Sequence, residues 1–257
     1  MRPIGAYCKV KPIDLHAPLE SRLAMRHVSG LRIVPDHLLL IGTGHLCDII
    51  RQSKSLTTLD LSDDYIGVGG ASDIAEAINQ SKSLTEVDLN SNNIRDEGAS
   101  AIAEAIAQSK SLYNVRLNIN SIGDKGAVAL SNAIQQSKSL AIVQLRCNSI
   151  GDRGATAIAE AIKKSECLTS VDLGTNSIGT EGAIAIAEAI KQSKSLTKLY
   201  LSHNKIIGTE GAIAIAEAIK HSTSLTMLDL SWNAIGAEGA AAIAEARKSN
   251  PMVAIYL

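Results

Sequence analysis

The chain has 257 residues, with 25 Lys and Arg against 26 Asp and Glu and a formal net charge of −1. That balance argues against a generic binder of polyanions, so no nucleic-acid partner is expected. A composition that is 46% hydrophobic with no Phe, five Tyr and one Trp predicts a core of Leu, Ile and Ala, thin enough to be rebuilt many times.

In chain order, residues 1–24 form an N-terminal segment or cap outside any repeat. Its start, Met1-Arg-Pro-Ile-Gly-Ala-Tyr-Cys-Lys, lacks the apolar stretch of about 7 to 15 residues of a secretory signal. No run approaches membrane-spanning length, so the chain reads as soluble and cytoplasmic, with no membrane partner. A degenerate repeat follows over 25–52, where Val28, Leu31, Ile33, Asp36, Leu38 and Gly42 fall at the places of a later consensus. From Ser53 that consensus is explicit: S-x-S-L-x-x-L-x-L-x-x-N-x-I-G-x-x-G-A-x-A-I-A-E-A-I. Copies begin at Ser53, Ser81, Ser109, Ser137, Ser165, Ser193 and Ser222, and a half-copy over 249–257 ends the array. The copy at Ser193 carries one extra residue at Ile206-Ile207. Seven full repeats over 53–248 and a period of about 28 residues predict one solenoid domain over 25–257.

Within a unit, Leu84-Thr-Glu-Val87-Asp-Leu89 alternates as a short half-buried strand does. Further on, Ala99, Ile102, Ala103 and Ile106 are spaced to share one stripe of a helix, with Glu104 pointing away. Asp96, Asp124, Asp152, Thr180 and Thr209 stand just before the helical stretch and read as its N-caps. Helices about 10 Å across cannot stack at a strand spacing of about 4.8 Å without bending the array. The expected shape is a horseshoe with strands inside and helices outside.

The run Leu140-Ala-Ile-Val143-Gln-Leu145-Arg-Cys-Asn148, repeated in every full copy except that Asp64 replaces the Asn of the first, resembles the leucine-rich repeat family. The 28 to 29 residue unit with a helical half resembles its ribonuclease-inhibitor-like class. The resemblance implies an α/β leucine-rich repeat solenoid with a parallel β-sheet on the concave face and α-helices on the convex face.

Positions constant between repeats are structural first, because every repeat solves the same packing problem but need not meet the same ligand. Asn92, Asn120, Asn148, Asn176, Asn204 and Asn233 are expected to form a ladder bonding adjacent turns. Gly98, Gly126, Gly154 and their equivalents mark close approach at the helix start or an unusual dihedral. The convex helices are monotonous: Gly179–Lys191 recurs identically as Gly208–Lys220, and Glu76, Glu104, Glu160, Glu188, Glu217 and Glu245 line them as a solvated row.

The outward strand positions vary instead. One series reads Asp60, Asp88, Arg116, Gln144, Asp172, Tyr200, Asp229 and Tyr256; one step earlier come Thr58, Glu86, Asn114, Ile142, Ser170, Lys198 and Met227. Just after the strand come Asp63, Ser91, Ile119, Cys147, Thr175, His203 and Trp232. Asp60, Asp63, Asp64, Glu86 and Asp88 make an acidic part, Arg116 and Arg146 a basic middle, and Lys198, Tyr200, His203, Met227 and Trp232 a C-terminal part of large side chains. Because Trp, Tyr and Arg dominate interface energetics, the expected protein-binding residues are Arg116, Arg146, Lys198, Tyr200, His203, Met227 and Trp232. Trp232 has an alternative reading as a cover for the end of the array. Arg247 stands where other full copies have Ile, so the last helix is expected to border solvent, and the strand edge at Ile255-Tyr-Leu257 could pair with a second copy or another chain.

No metalloprotease, hydrolase, Walker or dinucleotide motif is present, and no enzymatic activity or cofactor is expected. Cys8, Cys47, Cys147 and Cys167 lack metal or disulfide spacing and read as free thiols of a reducing compartment. His16, His27, His37 and His45 cluster early, and His45 with Cys47 could suggest a metal, but no ligand spacing accompanies them. Asn79-Gln-Ser81 is formally a glycosylation sequon. The leading expectation is a non-enzymatic scaffold holding a protein partner on the concave face. The resemblance also admits regulation of an enzyme, as nuclease inhibitor or GTPase activator, and the clean repeats resemble eukaryotic-like effectors delivered by intracellular bacteria.

Overall fold

The computed structural model describes residues 29–32, 37–204 and 207–257. The segment 1–24, Val28, Ile33 and Asp36 of the degenerate copy, and Ile206 of the insertion lie outside the described residues, as do Cys8, His16 and His27.

Strands and helices alternate: β1 (Gly30–Arg32), α1 (His37–Gln52), β2 (Thr58–Asp60), α2 (Gly67–Gln80), β3 (Glu86–Asp88), α3 (Arg95–Gln108), β4 (Asn114–Arg116), α4 (Asp124–Gln136), β5 (Ile142–Gln144), α5 (Asp152–Lys164), β6 (Ser170–Asp172), α6 (Thr180–Gln192), β7 (Lys198–Tyr200), α7 (Gly208–His221), β8 (Met227–Asp229), α8 (Gly236–Ser249) and β9 (Ala254–Tyr256). The strands form one open parallel sheet in chain order, and each helix packs on the next. This is the solenoid the period predicts, with the open sheet on one face and the helices on the other.

Register is constant. Leu31, Leu59, Val87, Val115, Val143, Val171, Leu199, Leu228 and Ile255 form one column across the sheet, all buried under the helices. Because side chains alternate along a strand, the residues on either side of that column face away from the helices. The helical stripe Ala99, Ile102, Ala103 and Ile106 is buried against this column while Glu104 stays exposed. Small Ala at half of these places lets successive helices approach closely, and its high helix propensity stabilises the helices locally.

The buried asparagines join the turns. Asn120 Oδ1 accepts the Asn92 N–H (2.9 Å) and the Ile94 N–H (3.3 Å) of the preceding repeat, while its Nδ2 donates to the carbonyls of Leu89 (2.8 Å) and Asn118 (3.0 Å). Asn92 makes the same four-way connection, and Asn148 makes it with a further contact to the Leu145 carbonyl. The ladder breaks at the insertion. Ile207 N–H turns to the carbonyl of Asn204 (3.2 Å) in its own repeat, and Asn233 Oδ1 is left buried without a hydrogen bond.

The expected N-caps act elsewhere than on their own helices. Asp124 and Asp152 are the first residues of α4 and α5, and Asp96 the second of α3, so their side chains project toward the following repeat. Asp96 Oδ1 accepts the N–H groups of Gly123 (2.7 Å) and Gly126 (2.9 Å), at the start of α4. Asp124 does the same for Gly151 and Gly154, and Asp152 for Gly179 and Gly182. Each carboxylate therefore caps the next helix, where it also meets the positive end of the helix dipole. A Cβ at Gly154 would lie 2.7 Å from Asp124 Oδ1 and 2.9 Å from Ala127 Cβ, which is why this position excludes a side chain.

The same carboxylates set the backbone. Gly123, Gly151 and Gly179, each facing an Asp, have φ of −101°, −99° and −100°. Where the preceding repeat supplies Val68, Thr180 or Thr209 instead, the equivalent Arg95, Gly208 and Gly236 sit at φ +58°, +68° and +66°. With Thr180 the peptide turns over, and the hydroxyl donates to the Ile207 carbonyl (3.1 Å). Arg95 occupies the left-handed region with a Cβ, at a cost of about 1 kcal/mol. Arg95→Gly is accordingly expected to stabilise the chain by about 1 kcal/mol, raising the melting temperature by about 2–4 °C.

Candidate functional site

The open face of the sheet carries two rows in strict register. Thr58, Glu86, Asn114, Ile142, Ser170, Lys198 and Met227 form one; Asp60, Asp88, Arg116, Gln144, Asp172, Tyr200, Asp229 and Tyr256 form the other. The variable side chains of the sequence thus lie together on one surface, strand beside strand.

At the N-terminal end, opposite charges neutralise each other. Arg116 Nη1 lies 3.3 Å from Asp88 Oδ2, and its Nη2 lies 3.8 Å from Glu86 Oε2. Burial pushes the Asp88 carboxyl above its ordinary range, while the Asn90 N–H and Arg116 pull it back. Asp64 does not belong to an acidic surface. It occupies the buried asparagine slot of its repeat and is only 2% exposed, because the turn folds that position inward. Asn114, expected outward, is also buried, with Oδ1 unpaired.

Arg146 is committed within the chain. Its Nη1 donates to Ser202 Oγ (3.1 Å), two repeats away, passing over Gly174, where a Cβ would lie 2.6 Å from that nitrogen. Gly174 is the space the guanidinium needs. Beside it, Asp172 accepts the Gly174 N–H (2.9 Å), and burial raises its pKa against the lowering effects of that bond and of Arg146, with Asp229 adding to the rise. A carboxyl whose folded pKa lies above its unfolded value gives stability that is lost as pH rises through the folded pKa, so the charge is a net cost at neutral pH. Asp172→Asn keeps the acceptor without the charge. Its melting temperature is expected to exceed the wild type at pH 7, the gain disappearing on acidification below the ordinary carboxylate range.

The C-terminal residues come together. Lys198 and Met227 are register partners on β7 and β8, and Tyr200 shares the face of Lys198. His203 and Trp232, on the turns after those strands, stack with ring centroids 5.5 Å apart and planes 7° apart. Both hold φ near +60°, in the left-handed region. Trp232 is 76% exposed, so it does not cover the end of the array. Arg116 stands three strands from Tyr200, about 14 Å away at ordinary strand spacing, and joins a separate charged cluster. Burial first, then the Asp172 and Asp229 carboxylates and Tyr256, push the Tyr200 phenol up, keeping it a neutral hydrogen-bonding group.

A shallow depression of about 390 Å³ adjoins this cluster, lined by Tyr113, Ile142, Gln144, Asp172, Lys198 and Tyr200 among others. Tyr113, 46% exposed, is absent from the sequence-based set. Its signal was a broken column: Thr57, Thr85, Thr169, Thr197 and Thr226 each donate a hydroxyl to the carbonyl one repeat back, and Tyr113 stands where a Thr would.

Elsewhere the chemistry is sparse. Among the described residues no group of three His, Cys, Asp or Glu could hold a metal, and the side chains of His37 and His45 lie outside them. Cys47 is buried, its thiol pushed up chiefly by burial, and donates to the Asp73 carbonyl (3.2 Å). On the helical face Glu160, Glu217 and Glu245 pair with Lys163, Lys220 and Lys248 one turn on, and Arg247 is exposed as expected. No helix among the described residues is long and apolar enough to cross a membrane.

A family pattern described as "Leucine Rich repeat" matches residues 80–103, 136–159, 164–187, 192–216 and 221–244. Among curated proteins no sequence matches. Of solved structures, "Leiomodin-1 Actin-Binding Site 2 (ABS2)" is similar at 24% identity and a TM-score of 0.51, covering 58% of this chain and 87% of that one. The tropomodulin C-terminal domain of Caenorhabditis elegans aligns at 19% identity and a TM-score of 0.49, covering 58% and 93%.

Proposed function

Starting from a chain that is a leucine-rich repeat protein, we propose that it is a non-enzymatic scaffold that captures a protein partner on the open face of its sheet. The observation that carries this reading is the gathering of Lys198, Tyr200, Met227, His203 and Trp232 on β7, β8 and their turns, with Trp232 76% exposed in a chain holding one Trp and five Tyr. Large side chains presented on a preformed frame lose little entropy on binding, which favours affinity from a few anchors. Tyr113 and the depression beside it extend the surface toward β4. Arg116 and Arg146, paired within the chain, serve the surface by shaping its charge rather than as free anchors. The leiomodin segment is named for binding actin, and its likeness to this chain supports the repeat frame alone.

The test is capture from a cell lysate by three proteins: wild type, the open-face variant Tyr200→Ala/Trp232→Ala, and the helical-face variant Ile184→Glu. The same partner should be recovered with the first and third and lost with the second. Loss with Ile184→Glu and retention with the open-face variant would move the site to the helices.

A further inference from the structure

We propose that the open face between β7 and β9 takes a cationic side chain of the partner, a guanidinium seated on Asp229 between Tyr200 and Tyr256. The inference rests on the reading that this face binds protein, and it names the chemistry of one contact.

The second row reads Asp172, Tyr200, Asp229, Tyr256 on four successive strands in register. Three aspartates face the open side from β3 onward, and the chain treats them differently. Asp88 receives Arg116 at 3.3 Å. Asp172 has Arg146 beside it, lying over Gly174. Asp229 has no ion-pair partner among the described residues. Its Oδ1 accepts the Ser231 N–H (3.0 Å) and the Ser231 hydroxyl; both hydrogen bonds fall on that one oxygen, and the residue is half-buried on the open row.

The rings on either side suit the carboxylate's missing partner. Strand side chains stand roughly perpendicular to the sheet, and Tyr200 and Tyr256 are two strand spacings apart, about 9.6 Å. A planar group stacked between two rings at about 3.5–4.0 Å from each needs about 7–8 Å, so the slot admits a guanidinium with a slight lean of the rings. There the cation would make a charge-assisted hydrogen bond to Asp229 and meet two aromatic faces. Tyr256 is 52% exposed, so the slot is open to a segment arriving from solvent.

The experiment titrates the full chain with two blocked pentapeptides, Gly-Gly-Arg-Gly-Gly and its citrulline counterpart, followed by NMR of tyrosine rings and backbone amides. The arginine peptide should shift Tyr200, Tyr256 and the Asp229 amide, and the isosteric but neutral citrulline peptide should not. Asp229→Asn, which keeps the acceptor for Ser231 and relieves the repulsion on Asp172, should weaken the arginine peptide at least about tenfold without lowering the melting temperature. Tyr256→Ala should weaken it as well. Equal response to the two peptides, shifts centred on Asp60 and Asp88 instead, or an unchanged Asp229→Asn variant would overturn the proposal. If lysate capture is lost in Tyr200→Ala/Trp232→Ala while Asp229→Asn changes neither capture nor peptide binding, the open-face reading stands and the guanidinium site falls.

Discussion

Asn120→Ala is expected to destabilise the protein by about 4 kcal/mol and lower its melting temperature by roughly 10 °C. Asn120 is fully buried and serves four backbone groups, two N–H donors in the preceding repeat and two carbonyls. Removing it strands all four, each at about 1–3 kcal/mol, partly relieved where water can enter the turn. Hydrogen exchange at Asn92 and Ile94 should accelerate before exchange elsewhere. The molecule holds its own control. Asn233 makes only the two donor bonds, to the carbonyls of Leu201 (3.0 Å) and Leu230 (2.7 Å), because the insertion has withdrawn the N–H its Oδ1 would accept. Asn233→Ala should therefore cost about half as much, near 2 kcal/mol. Equal losses at the two sites would mean that bulk packing of the turn, not the hydrogen bonds, carries the effect.

The second large effect is on binding. Tyr200→Ala with Trp232→Ala removes two side chains of the kinds that carry about 2 kcal/mol or more each at interfaces, so the affinity for a captured partner should fall about a thousandfold. Stability should change by less than about 1 kcal/mol, since Trp232 packs mainly on His203 and Tyr200 lies on the open row. A large fall in melting temperature alongside lost capture would make these residues part of the frame.

Much of this frame is legible in the sequence because a solenoid repeats its solution: the apolar column, the helical stripe and the asparagine ladder each recur at the period. What recurs does not disclose whom it touches. Asp96, Asp124 and Asp152 look like caps of their own helices, yet their partners lie 27 and 30 residues on, in the next repeat. The acidic and basic zones read as separate surfaces, but register brings Asp88 beside Arg116, where they cancel. Arg146 reads as a free cation because its partner Ser202 is 56 residues away, and only Gly174 hints at the path between. Asn114 reads as exposed from alternation and Asp64 as part of an acidic zone although it stands in the asparagine column, and both are buried. Tyr113 was hidden in a column where five of seven copies carry a Thr that donates its hydroxyl to the backbone and the next copy carries Ala141.

The central claim, that the varied open face does the recognising while the uniform frame presents it, is tested most directly by oxidative footprinting of the protein bound to its captured partner. Tyr200, Met227 and Trp232 should lose reactivity on binding, and Tyr65, exposed on the turn after β2, should keep it. Unchanged reactivity at those three residues, with protection falling on Ile184 and Ile213 of the helical face, would contradict it.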